Sequence, residues 1–212
     1  MLAANYSGKI LEAGLDEVGR GCLAGPVVAA AVILPPDYDH ALLTDSKQLS
    51  RRQREQLREE IVGIAVAWAI AEVSHLEIDR INISNASFAA MHLAVNNLNI
   101  TPDYLIVDGN RFKPYPGIEH ACIIKGDSKY FSIAAASVLA KTYRDDLMAK
   151  LAQEYPCFGW EQNAGYPTIK HRQAILNHGT TPFHRLSFRL LPDDDTQQQV
   201  KAKAISLPES KP

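Results

Sequence analysis

Apolar runs of strand length alternate along this chain with polar stretches that carry the periodicity and the caps of helices. The strand-like runs occupy residues 11–18, 26–34, 64–73, 103–109 and 120–126. Helical patterns cover the chain from Ser50 to about Ile61, from Ser84 to about Leu98, over 132–155 and over 168–179. Strands come first, strands and helices mix in the middle, and helices follow. This order predicts an α/β fold, in which helices pack on a mixed sheet and the C-terminal part is helical.

Several residues mark where these elements begin and end. Ser50 with Gln53 has the spacing of a capping box, and Ser84 is placed to cap the next helix. The β-branched run 64–73 predicts a buried strand, and Gly179 is a helix-ending glycine. The last residues are polar and predict a flexible tail. We therefore expect one domain over 1–191, with its helical C-terminal part at about 155–191, and a tail over 192–212.

Composition narrows the class of protein. The chain has 212 residues, of which 46% are hydrophobic, and a net charge of −2, so any basic surface for nucleic acid must be local. Its 3 cysteines form no CxxC pair, which favours neither a disulfide framework nor a zinc site. Signal-peptide features are absent, and no apolar run approaches the roughly 20 residues of a membrane span. We expect a soluble, cytoplasmic protein without a membrane partner; nothing demands an oligomer, so we expect a monomer.

Four acidic residues lie in or directly after the strand-like runs. Asp16 and Glu17 are in the first run, Asp108 is near the end of the fourth, and Asp127 follows the fifth. Carboxylates gathered in one place raise each other's pKa and cost stability, which a divalent cation between them would offset. Oxygen ligands without a Cys/His set indicate Mg²⁺ or Mn²⁺. The pattern suggests metal-assisted phosphodiester chemistry.

Each acid also has a purely structural interpretation. Adjacent strand residues point to opposite faces, so Asp16 and Glu17 could lie at a frayed strand end in water. An Asp-Gly pair such as Asp108–Gly109 is most often a turn, and Asp127 could cap the helix that follows. Spacing alone leaves both interpretations open.

Other motifs have a binding interpretation beside a structural one. The glycines of Gly19–Arg20–Gly21 let a ligand approach the backbone, although many turns carry two glycines. Tyr166 lies in a Gly/Pro loop, where a tyrosine can stack on a sugar or base or pack at a domain edge. Basic groups could hold phosphates or form solvated helix faces, and they comprise Lys47, Arg51, Arg52, Arg54, Lys170, His171, Arg172, His184, Arg185 and Arg189.

Seven of these motifs occur together in a familiar order. They are DEVGRG, DSKQLS, LIVDG, KGDSK, AASVLAKTYRD, GYPTIKH and HRLSF. Over about residues 11–190 this set resembles ribonuclease HII, the type 2 ribonuclease H family. The resemblance implies an RNase H-like fold: a five-stranded mixed sheet flanked by helices, with a helical C-terminal region.

The resemblance also assigns roles to residues. It implies that Asp16, Glu17, Asp108 and Asp127 hold the metal and are catalytic, and that Gly19, Arg20 and Gly21 read the ribose 2′-OH. It implies that Tyr166 stacks on the neighbouring deoxyribose and that Lys47 contacts a phosphate. Ser137 and Lys141 also fall in family motifs. The chain departs from the family pattern at Ala134 and Ala164. Where Ala164 stands, many members have a lysine, so this departure implies the loss of one contact to the nucleic-acid backbone.

The implied enzyme is a metal-dependent endoribonuclease. It would hydrolyse the RNA strand of RNA–DNA hybrids and nick duplex DNA 5′ of embedded ribonucleotides, using two Mn²⁺ or Mg²⁺ ions and leaving a 3′-OH and a 5′-phosphate, in DNA replication and repair. Alternatives are an inert hybrid-binding module and an acid-rich phosphatase for small esters. All four acids are present, which disfavours the binding module. The Gly-Arg-Gly and Tyr166 motifs favour a ribose polymer as substrate over a small ester. The Gly-Arg-Gly and GYPT motifs also favour type 2 over type 1 ribonuclease H.

Overall fold

The computed structural model describes residues 2–41, 43, 46 and 49–192, and it contains a mixed five-stranded sheet. The strands are β1 Glu12–Val18, β2 Val27–Ile33, β3 Ala67–Val73, β4 Tyr104–Asp108 and β5 Glu119–Ile123. Their order across the sheet is β3-β2-β1-β4-β5. β1 runs antiparallel to β2 and parallel to β4, and β4 runs parallel to β5. The expected fold class is thereby confirmed.

Six helices accompany the strands in the described part of the chain. They are α1 Arg51–Ile64, α2 His75–Ile81, α3 Ile83–Asn96, α4 Phe131–Glu154, α5 Trp160–Asn163 and α6 Ile169–His178. Single 3₁₀ turns lie at Gly126–Ser128 and Pro156–Phe158. The sequence pattern predicted α1, α3, α4 and α6, but it missed α2 and α5, which are too short to show a helical period.

The predicted helix starts are right at Ser50 and wrong at Ser84. Ser50 and Gln53 form the expected capping box of α1. Helix α3 begins one residue before Ser84, and the side-chain oxygen of Asn82 accepts from the backbone N–H of Ser84 at 3.0 Å and of Asn85 at 3.1 Å. The side chain of Asn therefore satisfies the free amides that Ser84 was expected to satisfy. At the other end of the chain, Gly179 ends α6 as expected, with φ 82°.

The prediction that residues 64–73 are a buried strand is also only half right. Along β3 the alternate residues Ala67, Ala69, Ala71 and Val73 are buried, whereas Trp68 and Glu72 are exposed. β3 is an edge strand of the sheet. The alternation of buried and exposed residues along it shows that one of its two faces meets solvent. By contrast, every residue of β2 is buried.

The chain divides into two compact units. Among the described residues, the first consists of those through Val18, of Val28–Val73 and of Ser87–Tyr143, and the second of Gly19–Val27, Ser74–Ala86 and the described residues from Arg144 onward. The core of the first unit joins one face of β2 to α1 and α4, through side chains that include Val28, Val32, Leu57, Ile61, Val138 and Leu139. The core of the second is aromatic and aliphatic, with Met148, Tyr155, Phe158, Trp160 and Ile175.

A glycine brings α4 directly onto β1 within the first unit. A Cβ on Gly14 would lie 2.2 Å from the carbonyl carbon of Ser132 and 2.4 Å from the amide nitrogen of Ile133. Such distances are impossible for any side chain, so only glycine allows this contact. The contact fixes the start of α4 against the strand that carries Asp16. No helix among the described residues is long and apolar enough to span a bilayer.

Candidate active site

Asp16 and Asp108 extend from neighbouring strands at the same end of the sheet. β1 and β4 are parallel, and their last paired residues, Leu15 and Val107, directly precede the two aspartates. Asp16 is 6% exposed, and Asp108 is half-buried. Since parallel strands end at one edge, the sheet itself brings two carboxylates together. This arrangement excludes the simple turn interpretation of Asp108–Gly109, because Asp108 is still part of β4.

Asp16 lies in an environment that disfavours its charge. Burial raises its pKa well above the ordinary value, and the negative charges of Glu17 and Asp108 raise it further. Hydrogen bonds oppose this effect: the backbone N–H of Glu17 donates to Asp16 Oδ1 at 2.7 Å, and the Ser137 hydroxyl also bonds to the carboxylate. A buried Asp16 excludes the interpretation of a frayed strand end in water.

The contact between Ser137 and the Asp16 carboxylate continues into the core through a second serine. Ser137 Oγ on α4 lies 2.9 Å from Ser46 Oγ, and both side chains are buried. Ser46 therefore lies one hydrogen bond beyond the residue that orients Asp16. Sequence reasoning placed Ser137 only in a family motif and missed Ser46, because a serine within a polar stretch gives no signal of burial.

Asp127 reaches the same end of the sheet through the turn after β5. It lies in the 3₁₀ turn Gly126–Ser128 and is 5% exposed. The N–H of Gly126 donates to Asp108 Oδ1 at 2.7 Å. A Cβ on Gly126 would lie 2.5 Å from Ile133 Cδ1, so glycine allows the turn to approach α4. The turn thus connects Asp127 to Asp108 through one backbone amide.

The four acids are of the ligand type that a divalent cation prefers, but their side chains are not arranged as a complete coordination site. The repulsion that raises the pKa of Asp16 comes from Glu17 and Asp108, and a cation would relieve it. All candidate ligands are carboxylate oxygens, the donors that Mg²⁺ and Mn²⁺ favour. Within the described residues, however, no three His, Cys, Asp or Glu side chains are grouped in metal-binding geometry.

The Gly-Arg-Gly loop belongs to the second unit, where it lies beside the tyrosine loop. Gly19 has φ +94°, and Arg20 and Gly21 are exposed. Two residues on, the N–H of Leu23 donates to the carbonyl of Gly165 at 2.7 Å. The structure therefore brings together two of the predicted binding segments, which are separated by some 140 residues of sequence.

Tyr166 is half-exposed in the loop between α5 and α6. Its side chain is 38% exposed. Burial raises the pKa of Tyr166, and the electrostatic effect of Cys22 and a hydrogen bond to it act in the same direction, whereas the positive charge of Arg144 opposes them. The ring thus presents one part to solvent while its hydroxyl contacts the residue that follows Gly21.

Several basic residues do not have either role expected for them. His171, His184 and Arg185 are buried, so they form neither a solvated helix face nor a phosphate contact. His171 Nδ1 donates to the carbonyl of Tyr166 at 2.9 Å, while its Nε2 accepts from Trp160 Nε1 at 3.0 Å. His171 therefore supports the tyrosine loop from within.

The basic residues around α1 divide between structure and surface. Arg54 donates to the carbonyl of Leu49 at 2.6 Å, and Arg51 pairs with Glu55 at 2.9 Å on an exposed face. Lys47 lies outside the described residues. Its assignment as a phosphate contact stays a prediction.

Comparison with known proteins places this chain in a family. The family model "Ribonuclease HII" matches residues 13–191. A ribonuclease HII from Bacteroides fragilis is 63% identical over 193 residues, covering 91% of this chain and 96% of that protein. A ribonuclease H2 structure from Pyrococcus horikoshii OT3 has a TM-score of 0.77 at 25% identity, covering 90% of this chain and 98% of that one. A Bst-RNase HIII structure in complex with Mn²⁺ shares the fold at TM-score 0.62 and 19% identity, covering 80% of this chain and 62% of that one.

Proposed function

The chain belongs to the ribonuclease HII family of metal-dependent endoribonucleases, which act on RNA–DNA hybrids, and we propose that it also nicks duplex DNA 5′ of single embedded ribonucleotides. The products would be a 3′-hydroxyl and a 5′-phosphate. The biological role that we infer is the removal of ribonucleotides from DNA during replication and repair.

The observation that carries this proposal is the buried, mutually repelling carboxylate group around Asp16. Asp16, Glu17, Asp108 and Asp127 would hold two divalent cations, either Mn²⁺ or Mg²⁺. When bound, such ions supply a water of lowered pKa as the nucleophile and stabilise the leaving 3′ oxygen. Ser137 and the amide of Glu17 orient Asp16 through hydrogen bonds, and the amide of Gly126 orients Asp108.

Discrimination between RNA and DNA would come from the second unit. The 2′-OH is the group that distinguishes a ribonucleotide, and a backbone loop can satisfy it directly. Around Gly21 an added Cβ would meet no atom within 4 Å, so a sugar has room to approach the loop there. A deoxyribonucleotide would leave the polar groups of that loop unpaired, which is the basis of strong rejection. Arg20 would add a phosphate contact, and the exposed part of Tyr166 would stack on the adjacent deoxyribose.

The proposal is tested by cutting labelled duplex DNA that carries one ribonucleotide, in Mg²⁺, in Mn²⁺ and with chelator, beside an all-DNA duplex. We expect one metal-dependent cut 5′ of the ribonucleotide and an intact control. Binding without cutting would favour the inert module instead. Cleavage of a small phosphomonoester in place of the duplex would favour the phosphatase.

A further inference from the structure

Two buried arginines form a network around the Gly-Arg-Gly loop. Arg144 on α4 is 1% exposed and Arg185 is 0% exposed. The guanidinium of Arg144 donates to the carbonyls of Pro26 at 3.0 Å, Ala24 at 2.9 Å and Ala164 at 2.7 Å. That of Arg185 donates to the carbonyls of Gly25 at 2.9 Å, Arg20 at 3.0 Å and Pro26 at 3.1 Å. Five of these six bonds therefore end on residues 20–26.

Burial of two cations needs such a set of partners. An unpaired buried charge costs several kcal/mol, roughly, whereas hydrogen bonds from a guanidinium to oriented carbonyls recover much of that cost. Burial lowers the pKa of Arg185 to about 10, so it stays protonated at neutral pH. Since a charged donor binds a carbonyl more strongly than a neutral one does, the loop carbonyls are firmly turned toward the arginines.

The direction of these carbonyls determines where an amide points. A trans peptide is planar, with its C=O and N–H on opposite sides. Because the carbonyl of Arg20 faces Arg185, the N–H of Gly21 faces away from it. Gly21 is exposed, and within the described residues its N–H donates no hydrogen bond. The loop thus presents a free donor beside open space.

Gly19, which precedes the exposed residues Arg20 and Gly21, is in close contact with Arg144. A Cβ on Gly19 would lie 2.3 Å from Nε of Arg144, and the backbone there has φ +94°. Arg144 therefore packs directly on the loop backbone, and it also bonds to Ala164, two residues before Tyr166. One side chain connects both predicted binding segments.

We propose that Arg144 and Arg185 are positioning residues that hold the Gly-Arg-Gly loop with the Gly21 amide directed outward, and that this arrangement sets the discrimination between ribose and deoxyribose. Neither guanidinium touches the substrate. The inference rests on the proposed function, in which the loop reads the 2′-OH.

The test compares Arg185→Lys with a matched control, Arg172→Lys. Lysine keeps the charge but cannot make the three directed bonds. Arg172 also donates to backbone carbonyls, those of Arg189 and Leu190, which lie outside the loop. Two quantities are measured on each protein: hydrogen exchange of the Leu23 and Gly25 amides, and dissociation constants for a single-ribonucleotide duplex and an all-DNA duplex, with Ca²⁺ in place of the catalytic metal.

We expect Arg185→Lys to speed exchange of both amides by about tenfold and to lower the ratio of the two dissociation constants by about fivefold. Arg172→Lys should change neither quantity. A general loss of stability would weaken binding to both duplexes alike and leave the ratio intact. If Arg185→Lys leaves both exchange and ratio unchanged, the proposal is overturned.

Gly21→Ala separates this proposal from the function on which it rests. If Gly21→Ala lowers the ratio but Arg185→Lys does not, the loop reads ribose without the arginines and the positioning role is wrong. If Gly21→Ala leaves the ratio unchanged, ribose reading by the loop is itself wrong, and the role of the arginines in specificity falls with it.

Two further measurements apply if Arg185→Lys does not fold. Arg144→Lys should give the same pair of changes through Ala24, Pro26 and Ala164. In the unmodified protein, nuclear magnetic resonance of arginine-labelled samples should show slowly exchanging guanidinium protons for Arg144 and Arg185. Exchange as fast as that of exposed arginines would overturn the proposal.

Discussion

Each of the two units buries charge of one sign, and they stabilise it in opposite ways. In the first, the carboxylate of Asp16 is buried beside Glu17 and Asp108, and their repulsion raises its pKa. In the second, the guanidiniums of Arg144 and Arg185 are at least as deeply buried, yet each donates three hydrogen bonds to backbone carbonyls. A cation bound at the proposed metal site would relieve this repulsion, whereas backbone carbonyls of the protein itself already bind both arginines.

This difference in how buried charge is stabilised matches the function that we propose for each region. A metal site gains affinity from charge that the protein leaves uncompensated, because the ion then relieves repulsion as it binds. A loop that recognises a sugar gains from the reverse arrangement, since a preset backbone loses little entropy when substrate arrives. Neutralising an acid of the proposed metal site should therefore cost activity but not stability, and adding charge to the second region should cost stability.

The largest effect is expected when an acid of the metal site is neutralised. Asp16→Asn should lower kcat by about a thousandfold or more, because it removes a proposed metal ligand. Its melting temperature should stay the same or rise, since the repulsion with Glu17 and Asp108 is lost. Steady-state cleavage of a hybrid and thermal unfolding measure the two quantities.

Glu12→Gln is the matched control on the same strand. Glu12 is also buried, but its carboxylate accepts from the amides of Tyr6 at 2.9 Å and Ser7 at 2.6 Å. Its substitution should leave kcat unchanged and reduce stability by about 1.5–3 kcal/mol. A fall in kcat equal to that of Asp16→Asn would remove the distinction between structural and functional acids.

Acid should destabilise the second unit through its buried histidines. His184 Nδ1 accepts from the amide of Thr181 at 2.8 Å, and its Nε2 lies 3.3 Å from Nε2 of His171. Burial, together with the charges of His171 and His75, lowers the pKa of His184 to about 3. Since this pKa is depressed on folding, the stability it provides is complete above the unfolded value of about 6.5 and is lost as pH falls toward 3.

The measurement is the free energy of unfolding between pH 7 and pH 4 for the unmodified protein and for His184→Gln. We expect the unmodified protein to lose stability steadily over this range and the variant to show a smaller slope. Equal slopes would show that His184 does not control the acid response.

A smaller effect should follow from adding metal. An ion that binds only the folded protein stabilises it by about 2.7 kcal/mol at a concentration of 100 times its Kd. For a chain of this size that corresponds to about 5–10 °C in melting temperature. Titration with Mn²⁺ and with Mg²⁺ should raise the melting temperature of the unmodified protein and raise that of Asp16→Asn less. No shift with either ion would count against the carboxylate group as a metal site.

Sequence reasoning located the strands of the first region, but it found the buried residues of the second only in part. The strands that carry Asp16 and Asp108 are apolar runs whose burial is evident locally, so their ends could be located. The burial of His171, His184 and Arg185 could not, because these residues stand in polar stretches and their partners are far away in sequence. Arg185 bonds to the carbonyl of Arg20, 165 positions earlier. Every residue has a backbone carbonyl, so the sequence does not show which carbonyls a buried arginine will bind.

The smallest change is expected at Tyr166, where the ring and the hydroxyl have different roles. Tyr166→Ala should lower kcat/KM on a single-ribonucleotide duplex by about tenfold relative to a long hybrid, because one stacking contact of an aromatic ring with a nucleotide contributes on the order of 1 kcal/mol and a long hybrid offers many registers. Tyr166→Phe keeps the ring and loses only the contact with Cys22, so it should reduce the same ratio by less than about threefold. If both variants lose activity equally on both substrates, Tyr166 does not sense the junction. The second unit would then contribute the Gly-Arg-Gly loop alone to recognition.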